Sequence, residues 1–179
     1  MTTENMLQGL ARLFDESCME LFSGFNCQIQ KTEDNMVASI YDPIAMIDAG
    51  SPEIELAIIL RLPVNILALS YPSGVDITHV SEETLEDWIA EISSQLIGKI
   101  KNKLLNYDLR LSLGLPNSYF GIDVGELLIP GRQCVVSVFN IDNELLEVIM
   151  MVDIHDPNID LSTPLSPDEG LGGGELELF

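Results

Sequence analysis

One predicted helix carries the side chains best spaced to do chemistry. Between Glu82 and Leu105, the residues Leu85, Trp88, Ile89, Ile92, Leu96, Ile100 and Leu104 recur at helical spacing and form one apolar stripe. At about 100° of rotation per residue, the opposite face carries Asp87, Glu91, Ser94, Gly98 and Lys101. Glu91 and Ser94 are three apart, so their side chains are neighbours on that surface. Gly98 lies one turn further along. A mid-helix glycine costs about 1 kcal/mol relative to alanine, and on a polar face it clears room for something to approach closely. A carboxylate, a hydroxyl and bare backbone in a row suit a docking surface. A solvated face with a tolerated glycine has the same pattern, and periodicity alone leaves both open.

Other chemistries have no foothold in the sequence. His79 and His155 are the two histidines, and no spacing offers the three or four converging ligands of a zinc site. There is no GxSxG elbow and no Walker A motif; the run Gly172-Gly173-Gly174 precedes no predicted helix. With 29 acidic residues, chance pairs of carboxylates are inevitable and identify nothing.

The helix must be held by something. The chain has 179 residues, one domain's worth, with 46% hydrophobic and 21% charged residues, which is globular usage. Met6, Leu7, Leu10, Leu13, Phe14, Cys18, Leu21 and Phe22 predict an N-terminal helix over 4–23, stopped at Gly24. MVASIY (36–41) reads as a strand bounded by Asp42-Pro43. IELAIILRL (54–62) reads as a strand covered on both faces. The segment 63–70 fits either a short helix begun by Pro63 or another strand. Ser81 is a suitable N-cap for the central helix, with Glu82 and Glu83 in its first turn and Lys99, Lys101 and Lys103 near its end. Strands are predicted at 109–113, 118–124, 133–140 and 145–154, with turns at Pro116-Asn117, Pro130-Gly131 and Asp142-Asn143. The order predicts an α+β domain over 1–154, its mostly antiparallel sheet packed against an N-terminal helix and a long central helix. Residues 155–179 hold Pro157, Pro164, Pro167 and the glycine run, and read as an acidic, flexible tail. Its end, Glu175-Leu176-Glu177-Leu178-Phe179, reads as a solubilising stretch or as a peptide that adds a strand to a sheet edge.

Charge and cysteine content narrow the partners. The formal net charge is −21, which argues against nucleic acid, whose phosphates demand cationic patches. No apolar run is long enough to insert in a membrane, and the N-terminus lacks the basic start of a signal peptide. Cys18, Cys27 and Cys134 are too few and scattered for a disulfide framework. They read as reduced thiols in a cytoplasmic protein, and as small core hydrophobes rather than reactive groups.

The stretch from Glu91 to Leu105, then Leu109–Leu113, then Pro116-Asn-Ser-Tyr-Phe-Gly121 resembles the core of the CheC/CheX/FliY chemotaxis phosphatases, the CheX-like members in particular. Those proteins share a Glu-x-x-Asn pair on a long helix, a glycine one turn later, a strand, and a Pro with a Gly five residues on. Glu91, Gly98, Pro116 and Gly121 occupy matching positions, and the element order matches over roughly 4–154. The resemblance implies docking on a phosphorylated response-regulator receiver domain and removal of its aspartyl phosphate. Magnesium would be held by that partner, and no cofactor by this chain. It assigns Glu91 to a partner lysine and position 94 to orienting the attacking water, with Asp87, Gly98 and Lys101 completing the contact face. The sequence departs from the pattern at Ser94, where the family has asparagine. A serine hydroxyl is shorter by about one bond and has one donor, not two. Gln95 carries an amide, but about 100° around the helix from Ser94, toward the edge of the polar face and away from Glu91. The N-terminal helix carries no second such pair, which fits a single-site chain. The resemblance further implies a homodimer joined at sheet edges, with 54–62 and 145–154 as the apolar strands that would offer one. Three functions stay open: an active phosphatase using Glu91 with Ser94 or Gln95, a catalytically silent docking module of the same fold, and an unrelated interaction protein whose tail is its working part.

Overall fold

The computed structural model describes residues 3–25, 27–33, 42–72 and 80–164. The first helix, α1 (Thr3–Gly24), buries Met6, Leu10, Leu13, Phe14, Cys18, Leu21 and Phe22, the side that its periodicity predicts. Strands β1 (Ile29–Thr32), β2 (Ile44–Gly50) and β3 (Ile54–Arg61) follow. The expected strand at 36–41 lies outside the described residues. Neither β1 nor β2 was legible in the sequence, because β1 is short and polar and β2 runs through Ala45, Asp48, Ala49 and Gly50. In β3 the expectation of two covered faces holds. Ile54, Leu56, Ile58 and Leu60 enter the main core under the helices, while Ala57 and Ile59 enter a second core on the reverse face with Ile44, Val124, Ile149 and Met151.

The ambiguous 63–70 segment is helical: α2 spans Val64–Leu69 with Pro63 at its N-cap and Ile66, Leu67 and Ala68 buried. The long helix α3 runs Glu82–Leu105, as predicted, with the Ser81 side chain accepting a bond from the Thr84 amide at 3.2 Å. Trp88 anchors α3 to the end of α2. Its indole N–H donates to Ser70 Oγ at 3.0 Å, and Tyr71 meets the ring edge-on at 5.6 Å. Lys103, in the last turn where cations are favoured, reaches Glu20 (2.6 Å) and Glu16 (3.6 Å) of α1. Short strands β4 (Ser112–Leu113) and β5 (Asn117–Tyr119), a 3-10 turn at Val124–Leu127, and the long hairpin β6 (Gln133–Ile141) to β7 (Glu144–Ile154) complete the order. Asp142 and Asn143 turn that hairpin with φ of 48° and 72°, the left-handed pair a tight two-residue loop requires.

All pairings are antiparallel, in the order β1-β6-β7-β3-β2-β4, with β5 also on β2. Helices α1 and α3 pack against each other, with α3 over β2, β3 and β5. This order corrects the expected dimer contact. β3 and β7 are paired on both sides in the middle of the sheet, so neither offers an edge. Among the described residues the strand order ends at β1 on one side and at the short β4 and β5 on the other.

Past residue 154 the chain continues onto the same domain. The backbone N–H groups of His155 and Asp156 both donate to the Glu53 carbonyl, at 2.9 and 3.0 Å. Ile159 and Leu161 are buried in the main core. Gly9 of α1 makes this docking possible: a Cβ there would lie 2.9 Å from Leu161 Cβ. Proline and acid content hid two core residues in a segment that lacks periodicity. Residues 165–179, including the alternating end, lie outside the described residues, as does His79. Among the described residues no helix is long and apolar enough to cross a membrane.

Candidate functional site

The polar side of α3 is set by its opposite side. Burial of Leu85, Ile89, Ile92, Leu96 and Ile100 fixes the rotation of the helix, so Asp87 and Glu91 are exposed, and Ser94, Gln95, Gly98 and Lys101 are half-buried. The expected site residues therefore share one ridge.

Within it the hydrogen bonds differ from the expectation. Gln95 Nε2 donates to Glu91 Oε1 at 3.0 Å, so Gln95 does not turn away from Glu91. Measured from Glu91 it sits four residues on, about 40° around the axis, which is the standard i,i+4 neighbour. Ser94 instead turns inward: its Oγ donates to the Ala90 carbonyl at 3.0 Å, and the buried Ser93 Oγ donates to the same oxygen at 2.7 Å. A hydroxyl has one proton, so Ser94 so placed presents only lone pairs outward. The amide that stands beside the carboxylate belongs to position 95, not 94.

Among the described residues, nothing lies within 4 Å of a Cβ added at Gly98. The chain's own packing does not require glycine there, so the bare backbone faces open space. Gly121, at the end of the matching loop, is required for a different reason, a φ of +72°. At the start of that loop the Gly114 N–H donates to the Asp48 carbonyl at 2.8 Å, and any Cβ at 114 would collide with the Asp48 carboxylate. The loop that brings β5 beside α3 is thus seated closely on β2.

None of the α3 residues belongs to a cluster of three metal ligands among the described residues; the one such group, Glu55, Asp153 and His155, lies on the other face of the sheet. Of the cysteines, Cys18 is buried, Cys27 half-buried and Cys134 exposed, and none is in a disulfide. Burial pushes the Cys18 thiol well up and the Cys27 thiol up, so neither is primed as a nucleophile.

No protein-family model matches the chain, and no curated protein matches its sequence. Solved structures do match. A CheC-like superfamily protein from Shewanella sp. PV-4 is similar with a TM-score of 0.64 at 14% identity, over 81% of this chain and 97% of that one. The chemotaxis protein CheX from Vibrio vulnificus matches with a TM-score of 0.62 at 13% identity, over 80% of this chain and 96% of that one. A chain of the CheX–CheY–BeF3–Mg2+ complex from Borrelia burgdorferi matches with a TM-score of 0.57 at 12% identity, over 82% of this chain and 96% of that one. Such likenesses, spanning nearly the whole of each relative, establish architecture: the chain has the CheC/CheX fold.

Proposed function

We propose that this chain is a CheX-like protein that docks the polar ridge of α3 onto a phosphorylated receiver domain and promotes hydrolysis of its aspartyl phosphate. The observation that carries this reading is the 3.0 Å bond from Gln95 Nε2 to Glu91 Oε1. It sets an amide, a rigid donor–acceptor pair, beside the carboxylate that would anchor a partner lysine. A receiver domain as partner is supported by the likeness to a structure in which CheX and CheY form a complex. Charge supports it too, since a chain of net charge −21 suits a partner site presenting a lysine and a magnesium ion.

In the reaction, water attacks phosphorus in line. The water oxygen–phosphorus bond forms and the bond to the aspartate oxygen breaks. The products are a free carboxylate and inorganic phosphate, which keeps both protons of the water. Magnesium held by the partner would supply neutralisation of phosphoryl charge. This chain's residues supply positioning, which accounts for much of catalysis in phosphoryl transfer. Glu91 holds the partner, Gln95 orients the water, and Gly98 lets the partner close on the helix backbone. Asp87 and Lys101 frame the contact. With such a partner the protein would work in the cytoplasm.

A catalytically silent docking module is the second reading, and one observation favours it: the Ser94 hydroxyl is committed to the Ala90 carbonyl at 3.0 Å. One experiment separates the two. Candidate receiver domains phosphorylated with a small phosphodonor are incubated with the chain, and both binding and phosphate release are followed. Binding with accelerated release, both lost in Glu91→Ala, is the expected result. Binding without acceleration selects the silent module. No binding to any receiver domain leaves only the fold in common.

A further inference from the structure

On the sheet face opposite α1 and α3, strand register brings together Glu55, Asp153 and His155. Glu55 of β3 stands directly opposite Asp153 of β7, and His155 projects from the same side two residues on, by strand alternation. From each residue one ligand atom lies within 4.8 Å of the others. The Glu55 Oε1 to His155 Nε2 separation is 3.6 Å. Two ligands on one tetrahedral ion at bonds of about 2.1 Å stand about 3.4 Å apart, so this pair is already near coordinating distance and the exposed Asp153 side chain has a short swing to join. Arg132 holds the other oxygen, Glu55 Oε2, at 2.5 Å, which aims Oε1 at the imidazole. The main chain fixes His155 as well, through its N–H to the Glu53 carbonyl at 2.9 Å.

Two carboxylates directly opposed on neighbouring strands repel, and Arg132 neutralises only one of them. We propose that Glu55, Asp153 and His155 form a divalent transition-metal site, selective for an ion such as Zn2+ over Mg2+. The imidazole sets that selectivity, because a nitrogen donor with two carboxylates suits zinc, whereas magnesium prefers oxygen ligands and retains its waters. The overall charge of −21 concentrates cations around the molecule. A bound ion would tie β3 to β7 and to the start of the 155–161 segment that returns Ile159 and Leu161 to the core.

The test is a calorimetric Zn2+ titration of the full chain in excess Mg2+, which occupies indiscriminate carboxylates. A Cys134→Ser background removes the exposed thiol as a rival ligand. One Zn2+ per chain is expected, with affinity falling about tenfold or more in His155→Gln and in Asp153→Asn and unchanged in His79→Gln. The His155 ring-nitrogen NMR signals should shift up to one equivalent and then stop. All three ligands are exposed, so the variants should keep the parent's circular dichroism. Absence of Zn2+ binding beyond what Mg2+ displaces, binding that survives His155→Gln, or binding lost in His79→Gln would each overturn the proposal.

Discussion

The docking of residues 155–161 can be tested through Leu161 and its neighbour Gly9. Leu161 is 2% exposed and sits in the main core. Truncating such a leucine to alanine costs about 2–5 kcal/mol. In a domain of this size each kcal/mol moves the unfolding midpoint by about 2–4 °C, so Leu161→Ala should lower it by about 4–20 °C, with the middle of that range expected. Gly9 supplies a sharper test, because the sign is at stake. Alanine in place of a mid-helix glycine normally stabilises by up to about 1 kcal/mol. Here the new Cβ would meet Leu161 Cβ at 2.9 Å. A Cβ lies next to the backbone and cannot rotate away, so either the segment or the helix must shift. Gly9→Ala should therefore destabilise the parent, yet stabilise a Leu161→Gly chain, where the obstructing atom is gone. Differential scanning calorimetry of the four proteins closes this cycle. If Gly9→Ala stabilises both backgrounds equally, and Leu161→Ala moves the midpoint by under about 2 °C, the segment does not pack on α1 and the boundary at 154 stands.

Ser94→Asn places a coplanar amide where the family has one and should raise phosphatase activity about tenfold or more, equivalent to about 1.4 kcal/mol in the transition state; a variant that binds the partner but turns over no faster would show the water-orienting role to be misassigned. Gln95→Ala should lower the parent's activity about tenfold yet matter far less in the Ser94→Asn background, and equal effects in both would refute Gln95 as the parent's amide. Gly98→Ala should raise stability by up to about 1 kcal/mol, since among the described residues an added Cβ meets nothing within 4 Å, while weakening receiver-domain binding measured by titration; unchanged binding would remove Gly98 from the contact. A homodimer at micromolar concentration is expected to strengthen with salt, because like-charged chains repel; sedimentation showing only a 19.7 kDa species at high salt would exclude it.

The elements readable from sequence are those whose signal is local. The stripe of α3, its Ser81 cap and its acidic first turn all lie within one segment, and so do the apolar side of α1 and the Asp142-Asn143 turn between β6 and β7. The ridge of Asp87, Glu91, Ser94, Gly98 and Lys101 was legible for the same reason, since helical rotation alone places it. The Gln95–Glu91 bond was also within reach, as an i,i+4 pair. What the segments did not contain was their partners. β2 has a weak pattern of its own and becomes a strand because β3 pairs along its whole length, while β4 and β5 share its other edge. The apolar runs of β3 and β7 suggested sticky edges, but the same apolarity on both faces is what a strand needs in the middle of a sheet. Leu161 enters the core from a segment without periodicity because Gly9, more than 150 residues earlier, leaves it room. Glu55 and Asp153 are far apart in the chain, so no motif spacing links them to His155; only antiparallel register sets them side by side. Local periodicity determines which face an element buries, and tertiary pairing alone determines which distant side chains meet, because register is fixed by the sheet as a whole.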